Sequence, residues 1–389
     1  MGVAALGVAQ LRVVELRGLA EVEAIRSEWH ALAQAAPHDT PYVLPEFLLP
    51  WIRRLDGRDT CRFLAAWDGA TLVGLAPVVE RRIRRGGITL LTLRGFPEAA
   101  PTPPCDLLVR TGASGVVEAF FGHWQQQRDW DAIELPTVPV ESTSVARLVE
   151  LARAAGLRTA CSPSLATYAV PVEGSWHDYY AARSKKTRQN LRRGLRYFEP
   201  LGATRFAAYP GAMTFDEAMS QVAHVVAHSW KEHEQGASGW NAFLRDLMRE
   251  FDRAGLLRLN FLMLDTHAVA YLLDIPFKNA WYAIQNAYDL RHQPGYAGQL
   301  MLARAIEDAH ERRALRYDFT GNKDYLRRWT TTTRAFQHVR IDRGDALVRL
   351  KLQIYDRVHA RRAAQVAAGT DHDKNARKDE FRSAEDGDG

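Results

Sequence analysis

Apolar and polar positions follow two periods along this 389-residue chain. Between residues 20 and 35 the apolar side chains recur every three to four positions, which predicts an amphipathic helix. Residues 62–80 instead hold two apolar runs around Asp68-Gly69, a dipeptide that favours the tight turn of a β-hairpin. Helical spacing predicts further helices over 46–55, 115–128, 143–155, 176–198, 215–233, 239–254 and 298–313. Short apolar runs predict strands at 89–96, 131–136, 280–288, 315–319 and 335–342.

The second half of the chain repeats the order of the first. Residues 256–277 form a strand, an Asp265-Thr266-His267 turn and another strand, as residues 62–80 do. Each half reads helices, hairpin, strand, loop, helix, strand, which a duplicated α/β unit would leave behind. We therefore predict domains at 1–168 and 169–360, followed by a tail at 361–389.

Composition and charge narrow the class of protein. The 47% hydrophobic and 25% charged residues are ordinary for a globular protein, and the three cysteines stand without a C-x-x-C spacing. We expect a cytoplasmic protein because no run of apolar residues is long enough to span a membrane. Residues 371–389 carry seven of the 46 acidic residues, so the rest of the chain is more basic than the net charge of +5 indicates. The surplus of positive charge is typical of a protein that binds an anionic ligand, and also of arginine-rich enzymes with neutral substrates. We expect the acidic tail to be disordered.

One loop combines features of an anion-binding site. Asp289–Ala297 joins the predicted strand 280–288 to the predicted helix 298–313 and contains Pro294-Gly295. Glycine allows a ligand to approach the backbone, and the N–H groups at the start of a helix bind phosphate. A helix entered through a Pro-Gly turn, with no ligand, explains the same loop.

The loop and its surroundings resemble the GNAT superfamily of N-acyltransferases. Its signature, Gln/Arg-x-x-Gly-x-Gly/Ala, is matched at Gly295 and Ala297, whereas His292 replaces the first residue and Arg291 stands one position early. The whole second half resembles the acetyltransferase domain of the CelD/BcsL branch, which is related to the FemAB peptidoglycan transferases. The stretches that carry this resemblance are 184–202, 288–298 with the helix that follows, and 317–331. The first half resembles the same branch more weakly, through Trp29, residues 45–51 and residues 74–77.

The resemblance implies an α/β fold of mixed sheets, with tandem GNAT-like domains of which the first is degenerate. An acyl-CoA, in the first instance acetyl-CoA, would lie between strands 280–288 and 315–319 as a co-substrate, with no permanently bound cofactor. The residues expected to bind it are Arg291, His292, Gly295, Tyr296, Ala297 and Gly298. In the first half, Pro101, Pro103 and Pro104 stand where the loop would be and remove N–H donors. We expect that half to shape the acceptor cleft without binding CoA.

Direct attack of an amine on a thioester needs a base and an acid, but no covalent nucleophile. Asp318 is the candidate base, although it could instead cap the turn at Thr320-Gly321-Asn322. Tyr288, at the end of the central strand, is the candidate acid for the leaving thiolate, although a tyrosine there also packs well.

Acceptor binding is predicted at four residues. Lys185 and Arg188 belong to a basic stripe along a helix, which would grip an anionic acceptor or simply face solvent. Lys323 and Trp329 lie in 317–331, one of the stretches that carry the resemblance. Lys323 could instead lie on a solvated surface, and Trp329 could instead be a core aromatic. His224 and His228 have the spacing of zinc ligands, but no third ligand is evident and we predict no metal.

Three functions remain open from the sequence. The first is an acyl-CoA-dependent N-acyltransferase acting on an amine of a sugar, an amino acid or a cell-envelope or exopolysaccharide precursor. The second is a FemAB-like transferase with an aminoacyl-tRNA donor, and the third a catalytically silent accessory protein of polysaccharide synthesis. The first expects no nucleic-acid partner and no membrane span. The acceptor, the acyl length and the oligomeric state are not determined by the sequence.

Overall fold

The computed structural model describes residues 11–55, 59–97, 104–231 and 237–358. The predicted acidic tail at 361–389 lies outside the described residues, as do two of the three prolines, Pro101 and Pro103.

The described residues form a mixed α/β fold. Its helices are α1 (Leu19–Ala24), α2 (Arg26–Ala35), α3 (Pro45–Ile52), α4 (Val116–Gln126), α5 (Thr143–Ala154), α6 (Trp176–Ala181), α7 (Lys185–Phe198), α8 (Phe215–Ala227), α9 (Ala237–Arg253), α10 (Ala297–Glu311) and α11 (346–358). Its strands are β1 (Arg12–Leu16), β2 (Asp59–Cys61), β3 (Phe63–Asp68), β4 (Thr71–Ala76), β5 (Val79–Arg85), β6 (Ile88–Gly95), β7 (Leu108–Val109), β8 (Ala132–Pro139), β9 (Arg158–Pro171), β10 (Thr204–Tyr209), β11 (Arg258–Leu264), β12 (His267–Phe277), β13 (Ala280–Tyr288), β14 (Arg316–Asp318) and β15 (Thr333–Asp342). Short 3-10 helices occur at Pro41–Val43, Leu290–Gly295 and Asp324–Arg328.

Both predicted hairpins are confirmed. Strands β3 and β4 pair antiparallel around Gly69, whose φ of 56° is the left-handed conformation that this turn requires. Strands β11 and β12 pair in the same way, with Asp265 at a φ of 52°. In each half a preceding strand, β1 or β10, pairs antiparallel with the first strand of the hairpin. The hairpin in each half is part of the predicted repeat, whereas the sequence did not predict the preceding strands β1 and β10.

One predicted helix is wrong in part. The segment 176–198 divides into α6 and α7, because Ser184 leaves the helical conformation and its side chain accepts a hydrogen bond from the Thr187 N–H. The hydroxyl group therefore caps α7 and starts a new helix.

The sheets join the two halves. Strands β1, β3, β4 and β7 form a small sheet, and the other strands form a sheet in the order β10-β11-β12-β13-β14-β9-β15-β8-β6-β5-β2. Strand β9 pairs with β14 at one end and with β15 over the rest of its length, so the predicted boundary at residue 168 falls inside a strand. The division into two domains stays a prediction.

The hydrophobic core is also continuous between the halves. One cluster of buried residues contains Trp29 and Phe120 from the first half and Val225 and Phe251 from the second. A second cluster, on the other side of the second-half strands, packs α7 and α10 around Trp329. The second half is thus covered by α8 and α9 on one face and by α7 and α10 on the other.

Candidate active site

Two parallel strands separate at the centre of the second half. Strands β13 and β14 pair only where Ala280–Tyr282 faces Arg316–Asp318, and β13 then continues to Tyr288 without β14 beside it. At the point of separation the Thr320 hydroxyl donates to the Ala283 carbonyl oxygen. The register between β12 and β13 also shifts here, so that Ile284 has no counterpart on β12. A wedge-shaped opening with one unpaired strand edge results, at the place where the resemblance puts the acyl-CoA.

The loop that follows β13 leads from this opening into α10. Its last residue, Tyr296, has a left-handed φ of 52° and provides no side-chain cap to α10. The N–H groups of Ala297 and Gly298 therefore begin the helix without a capping side chain, which is the arrangement that binds anions. The Gly298 α-carbon lies against Tyr288, whose Cδ1 would be 3.1 Å from an added Cβ.

The structure shows a packing reason for glycine at 295. A Cβ added there would lie 2.6 Å from the rings of Tyr197 and Phe198, which belong to α7. On the facing side, a Cβ added to Gly194 would lie 2.6 Å from the Gly295 carbonyl oxygen. The two glycines let the loop and α7 touch through their backbones. Packing against α7 therefore requires glycine at 295, and the predicted contact of Gly295 with the co-substrate stays a prediction.

Arg291 and His292 have different surroundings. The Arg291 side chain is 59% exposed and binds Asp289, with 2.5 Å between its Nη2 and Asp289 Oδ2. The His292 ring lies between Tyr197 and Phe198, with ring centroids 6.2 and 5.7 Å away. Burial lowers the pKa of His292, so the ring is neutral at pH 7. Of the two, only Arg291 offers a positive charge to a phosphate.

A second cation next to the loop was missed in the sequence. Arg193 donates from Nη2 to the Tyr296 hydroxyl at 2.6 Å and lies over its ring, with Cζ 5.1 Å from the centroid. The predicted Lys185 lies about 13 Å from Gly194 along the helix, by the 1.5 Å rise per residue. Arg188 lies in the first turn of α7, close to Lys185, and donates to the Ala181 carbonyl oxygen. The structure therefore does not bring Lys185 or Arg188 to the loop.

Asp318 is part of an ion-pair network and not a free carboxylate. It is 2% exposed; its Oδ1 accepts the Thr320 N–H at 2.8 Å and its Oδ2 lies 3.1 Å from Arg334 Nη1. The first contact is the turn cap that the sequence left open as an alternative. The second gives Asp318 the task of neutralising a largely buried guanidinium group. These contacts favour a structural role, and the role of base stays a prediction.

The same network joins the halves of the chain. Asp39, from the first half, accepts from Arg316 Nη2 at 2.6 Å and from the Tyr282 hydroxyl at 3.0 Å. Arg334 lies 3.5 Å from Asp39 as well. Burial alone would raise the pKa of Asp39, but the guanidinium groups of Arg316 and Arg334 outweigh it and lower the pKa. The charge on Asp39 therefore holds the two halves together beside the opening.

Tyr288 lies at the mouth of the opening, and its ring makes an edge contact with Trp230 at 4.8 Å between centroids. Burial, and then the neighbouring Tyr325, raises the pKa of Tyr288. The phenol therefore keeps its proton at neutral pH, as a general acid must. Tyr325 hydrogen bonds with Asn286 of β13 and is 39% exposed.

The remaining predicted acceptor residues differ in exposure. Lys323 is exposed and immediately precedes the 3-10 helix Asp324–Arg328. The Trp329 side chain is fully buried, and its Nε1 donates to Gln299 Oε1 at 3.0 Å. Trp329 is therefore a core aromatic with its polar atom satisfied, and the predicted contact with an acceptor is corrected.

The structure adds a third group to the histidine pair. Ligand atoms of His224, His228 and Asp289 lie within 4.8 Å of one another. Both Asp289 oxygens accept from the Arg291 guanidinium at 2.5–3.0 Å. The three groups could hold a divalent cation only after Arg291 leaves Asp289, and the prediction of no metal stays untested.

Residues 185–329 match the family model described as an acetyltransferase (GNAT) domain. The match begins at α7, includes the opening and the loop, and ends at Trp329. No curated protein matches the chain in sequence.

Solved structures similar to this chain span most of its length. FemX has 12% sequence identity, with 80% of this chain and 95% of FemX covered, at a TM-score of 0.57. A conserved protein of unknown function from Bacteroides thetaiotaomicron has 14% identity, with 82% and 97% covered, at a TM-score of 0.52. The C-terminal domain of a putative lysylphosphatidylglycerol synthetase from Agrobacterium fabrum has 10% identity, with 85% and 95% covered, also at 0.52. These similarities show the fold, which is GNAT/FemX-like.

Proposed function

We propose that this protein transfers an acyl group from coenzyme A, in the first instance acetyl-CoA, to the nitrogen of an amine. The observation that carries the proposal is the opening between β13 and β14, which leads to the uncapped start of α10. Both features lie within the residues that match the acetyltransferase domain.

The unpaired edge of β13 is suited to the amide-containing arm of coenzyme A. Between Ile284 and Tyr288 no described strand pairs with β13 on the β14 side, so an extended ligand could add to it as a strand does. Gln285, in this stretch, is 7% exposed, and its Oε1 has no hydrogen-bond partner among the described residues. A buried polar atom of this kind calls for a partner, which a bound ligand would supply.

The pyrophosphate would lie at the N–H groups of Ala297 and Gly298, with Tyr296 beside it and positive charge on both sides. Arg193 lies over Tyr296, and Arg291 is exposed on the loop. His292 and Gly295 would contribute by holding the loop against α7.

In the reaction, the amine nitrogen attacks the thioester carbonyl, forming the C–N bond as the C–S bond breaks. A backbone N–H at the distorted part of β13 would stabilise the oxyanion. Tyr288 would give its proton to the leaving thiolate, and the ammonium proton would pass to a base through water. Both Asp318 oxygens are already engaged, so we propose that Asp318 binds Arg334 and does not accept this proton. We assign no residue as the base and propose only that the proton reaches it through water.

For the acceptor, we propose an amine on a sugar, an amino acid or a precursor of the cell envelope or an exopolysaccharide, as in the CelD/BcsL branch. The first half would form the acceptor side of the site, because Asp39 joins it to Arg316 beside the opening. We propose that the enzyme is cytoplasmic. Lys185, Arg188 and Lys323 are exposed or half-exposed cations for an anionic part of that acceptor.

The test is calorimetric titration of acetyl-CoA into the full chain, with Arg193→Ala compared against Arg192→Ala. Both arginines are exposed on α7, but of the two only Arg193 contacts the loop in the described structure. Loss of one charged hydrogen bond should weaken binding about tenfold or more in Arg193→Ala and leave Arg192→Ala close to wild type.

Absence of binding by the wild type would reject the CoA-dependent reaction. The FemAB-like alternative would then be tested with an aminoacyl-tRNA in place of acetyl-CoA. Equal affinities of the two variants would reject the placement of the pyrophosphate but leave CoA binding intact.

A further inference from the structure

A groove of about 1360 Å³ lies between the β5–β6 hairpin of the first half and α11. Its lining includes Ile52 and Leu55 near α3, Leu90 and Leu91 on β6, and residues of α11. None of the residues assigned to the acyl transfer site lines it. Small-molecule pockets commonly have volumes of about 300–1000 Å³, so this groove is large enough for a bulkier ligand.

Helix α11 has two apolar faces. Val348 and Leu352 are buried against Leu91 and Leu93, which fixes the helix on the sheet. A separate stripe at helical spacing is left exposed, by 62%, 54%, 54% and 43%, at Leu347, Leu350, Ile354 and Val358. Of this stripe, Ile354 and Val358 line the groove, and Leu90 on β6, which is 42% exposed, lines it as well. Exposed aliphatic side chains concentrated in one region mark a binding surface more often than an ordinary solvated one.

Positive charge surrounds these apolar side chains. The cations that line the groove are Arg17, Arg62, Arg82, Arg84, Arg85 and Lys351. The acidic residues of the lining are already paired: Asp59 lies 2.8 Å from Arg81, and Glu80 lies 3.1 Å from Arg94. Four of the six cations are ion-paired as well: Arg17 and Arg62 with Glu15, Arg82 with Glu80, and Lys351 with Asp131. Arg84 and Arg85 are exposed at the end of β5 and form no ion pair with a described residue. The groove thus has an apolar interior and a rim whose unpaired positive charge lies at Arg84 and Arg85.

We propose that this groove binds an anionic phospholipid and so docks the protein on an anionic membrane surface. The aliphatic residues would contact acyl chains, while the arginines, whose planar guanidinium groups match phosphate, would bind the headgroup. No described helix is long and apolar enough to cross a bilayer. The proposal does not depend on the transfer reaction.

Charge argues against a second copy of the chain, and against the segment that directly follows α11, as the occupant. In a symmetric dimer the same surface would face itself, which would bring the two sets of arginines together. The chain that continues beyond α11 starts with His359-Ala360-Arg361-Arg362, and its first acidic residue is Asp371. The sequence next to the groove is therefore basic and does not complement the rim. The acidic residues of the tail begin 13 positions after Val358, and failure of the wild type to bind anionic vesicles is the result expected if they compete for the rim.

The test is sedimentation of the full chain with vesicles of phosphatidylcholine alone and with added phosphatidylglycerol. We expect partitioning into the anionic vesicles, reduced at least about tenfold in Arg84→Glu/Arg85→Glu and in Ile354→Asp. The control is Arg147→Glu/Arg153→Glu, the same charge change on exposed residues of α5 that do not line the groove. All substituted side chains are exposed, and the pairs of Arg147 with Glu118 and Glu150 are surface pairs of small energy, so thermal unfolding should change little.

Three results would overturn the proposal. The first is failure of the wild type to bind anionic vesicles, and the second is equal loss in the α5 control. The third is a wild-type dimer in light scattering that Ile354→Asp makes monomeric, since the groove would then be a subunit interface. Titration of the same variants with acetyl-CoA tests the proposed reaction separately. Variants that lose vesicle binding should bind acetyl-CoA as the wild type does.

Discussion

Substitution of Gly194 by alanine tests whether the contact between α7 and the loop is as close as the structure indicates. Gly194 is buried within α7, and an added Cβ would lie 2.6 Å from the Gly295 carbonyl oxygen. That neighbour is backbone, so the loop itself must move to make room. Gly122 is the matched control, because it lies within α4 and an added Cβ would meet nothing within 4 Å.

Two opposing effects determine the magnitude. Alanine in place of glycine in a helix interior stabilises by about 0.8–1 kcal/mol, and this gain applies at both positions. Overpacking costs about 1–3 kcal/mol and applies only at Gly194. Gly122→Ala should therefore be more stable than the wild type, and Gly194→Ala about 1–3 kcal/mol less stable than Gly122→Ala.

Urea unfolding of the two variants measures this difference, and hydrogen exchange of the amides at 290–298 locates it. We expect faster exchange in Gly194→Ala at the loop alone, together with weaker binding of acetyl-CoA if the proposed function holds. A Gly194→Ala protein as stable as Gly122→Ala, with unchanged loop exchange, would refute the close contact whatever the protein binds.

Two further substitutions test buried carboxylates. Asp318→Asn should lower the free energy of unfolding by about 3 kcal/mol, because it leaves Arg334 without its closest carboxylate; urea unfolding with unchanged stability would restore Asp318 as a candidate base. Burial raises the pKa of Asp274 to about 7, whereas an unfolded Asp titrates near about 3.9. The unfolded chain therefore releases this proton first, and wild-type stability should fall by at most about 1.4 kcal/mol per pH unit from pH 4 to 7 and not further. Asp274→Asn lacks this component, so its stability relative to the wild type should increase between pH 5 and 7 in urea unfolding; a pH-independent difference would contradict the shift.

Local patterns were sufficient for most helices and for both hairpins. The turns at Asp68-Gly69 and Asp265-Thr266 could be predicted because glycine and aspartate tolerate the left-handed conformation, which Gly69 and Asp265 adopt. The loop before α10 was found for the same reason, since Pro294-Gly295 interrupts the apolar pattern.

Contacts between distant residues were outside the reach of these patterns. Arg193 meets Tyr296 across 103 positions, and Asp39 meets Arg316 across 277. Gly194 was nevertheless a readable signal, because a glycine inside a helix costs about 1 kcal/mol and calls for a packing reason. The sequence did not distinguish the two roles of Trp329, since a tryptophan is typical of a hydrophobic core and of a binding site alike.

The position of β15 has a consequence for how the protein is made. This strand pairs with β8 on one side and β9 on the other, yet it is synthesised roughly 200 residues after β8, which on a ribosome adding about 5–20 residues per second takes on the order of 10–40 s. During that interval β8 and β9 are both complete and each has an unpaired edge. They could pair with each other, and β15 must then separate them to reach its place. The first half of this chain is thus the first to be synthesised but cannot finish folding until the second half has emerged.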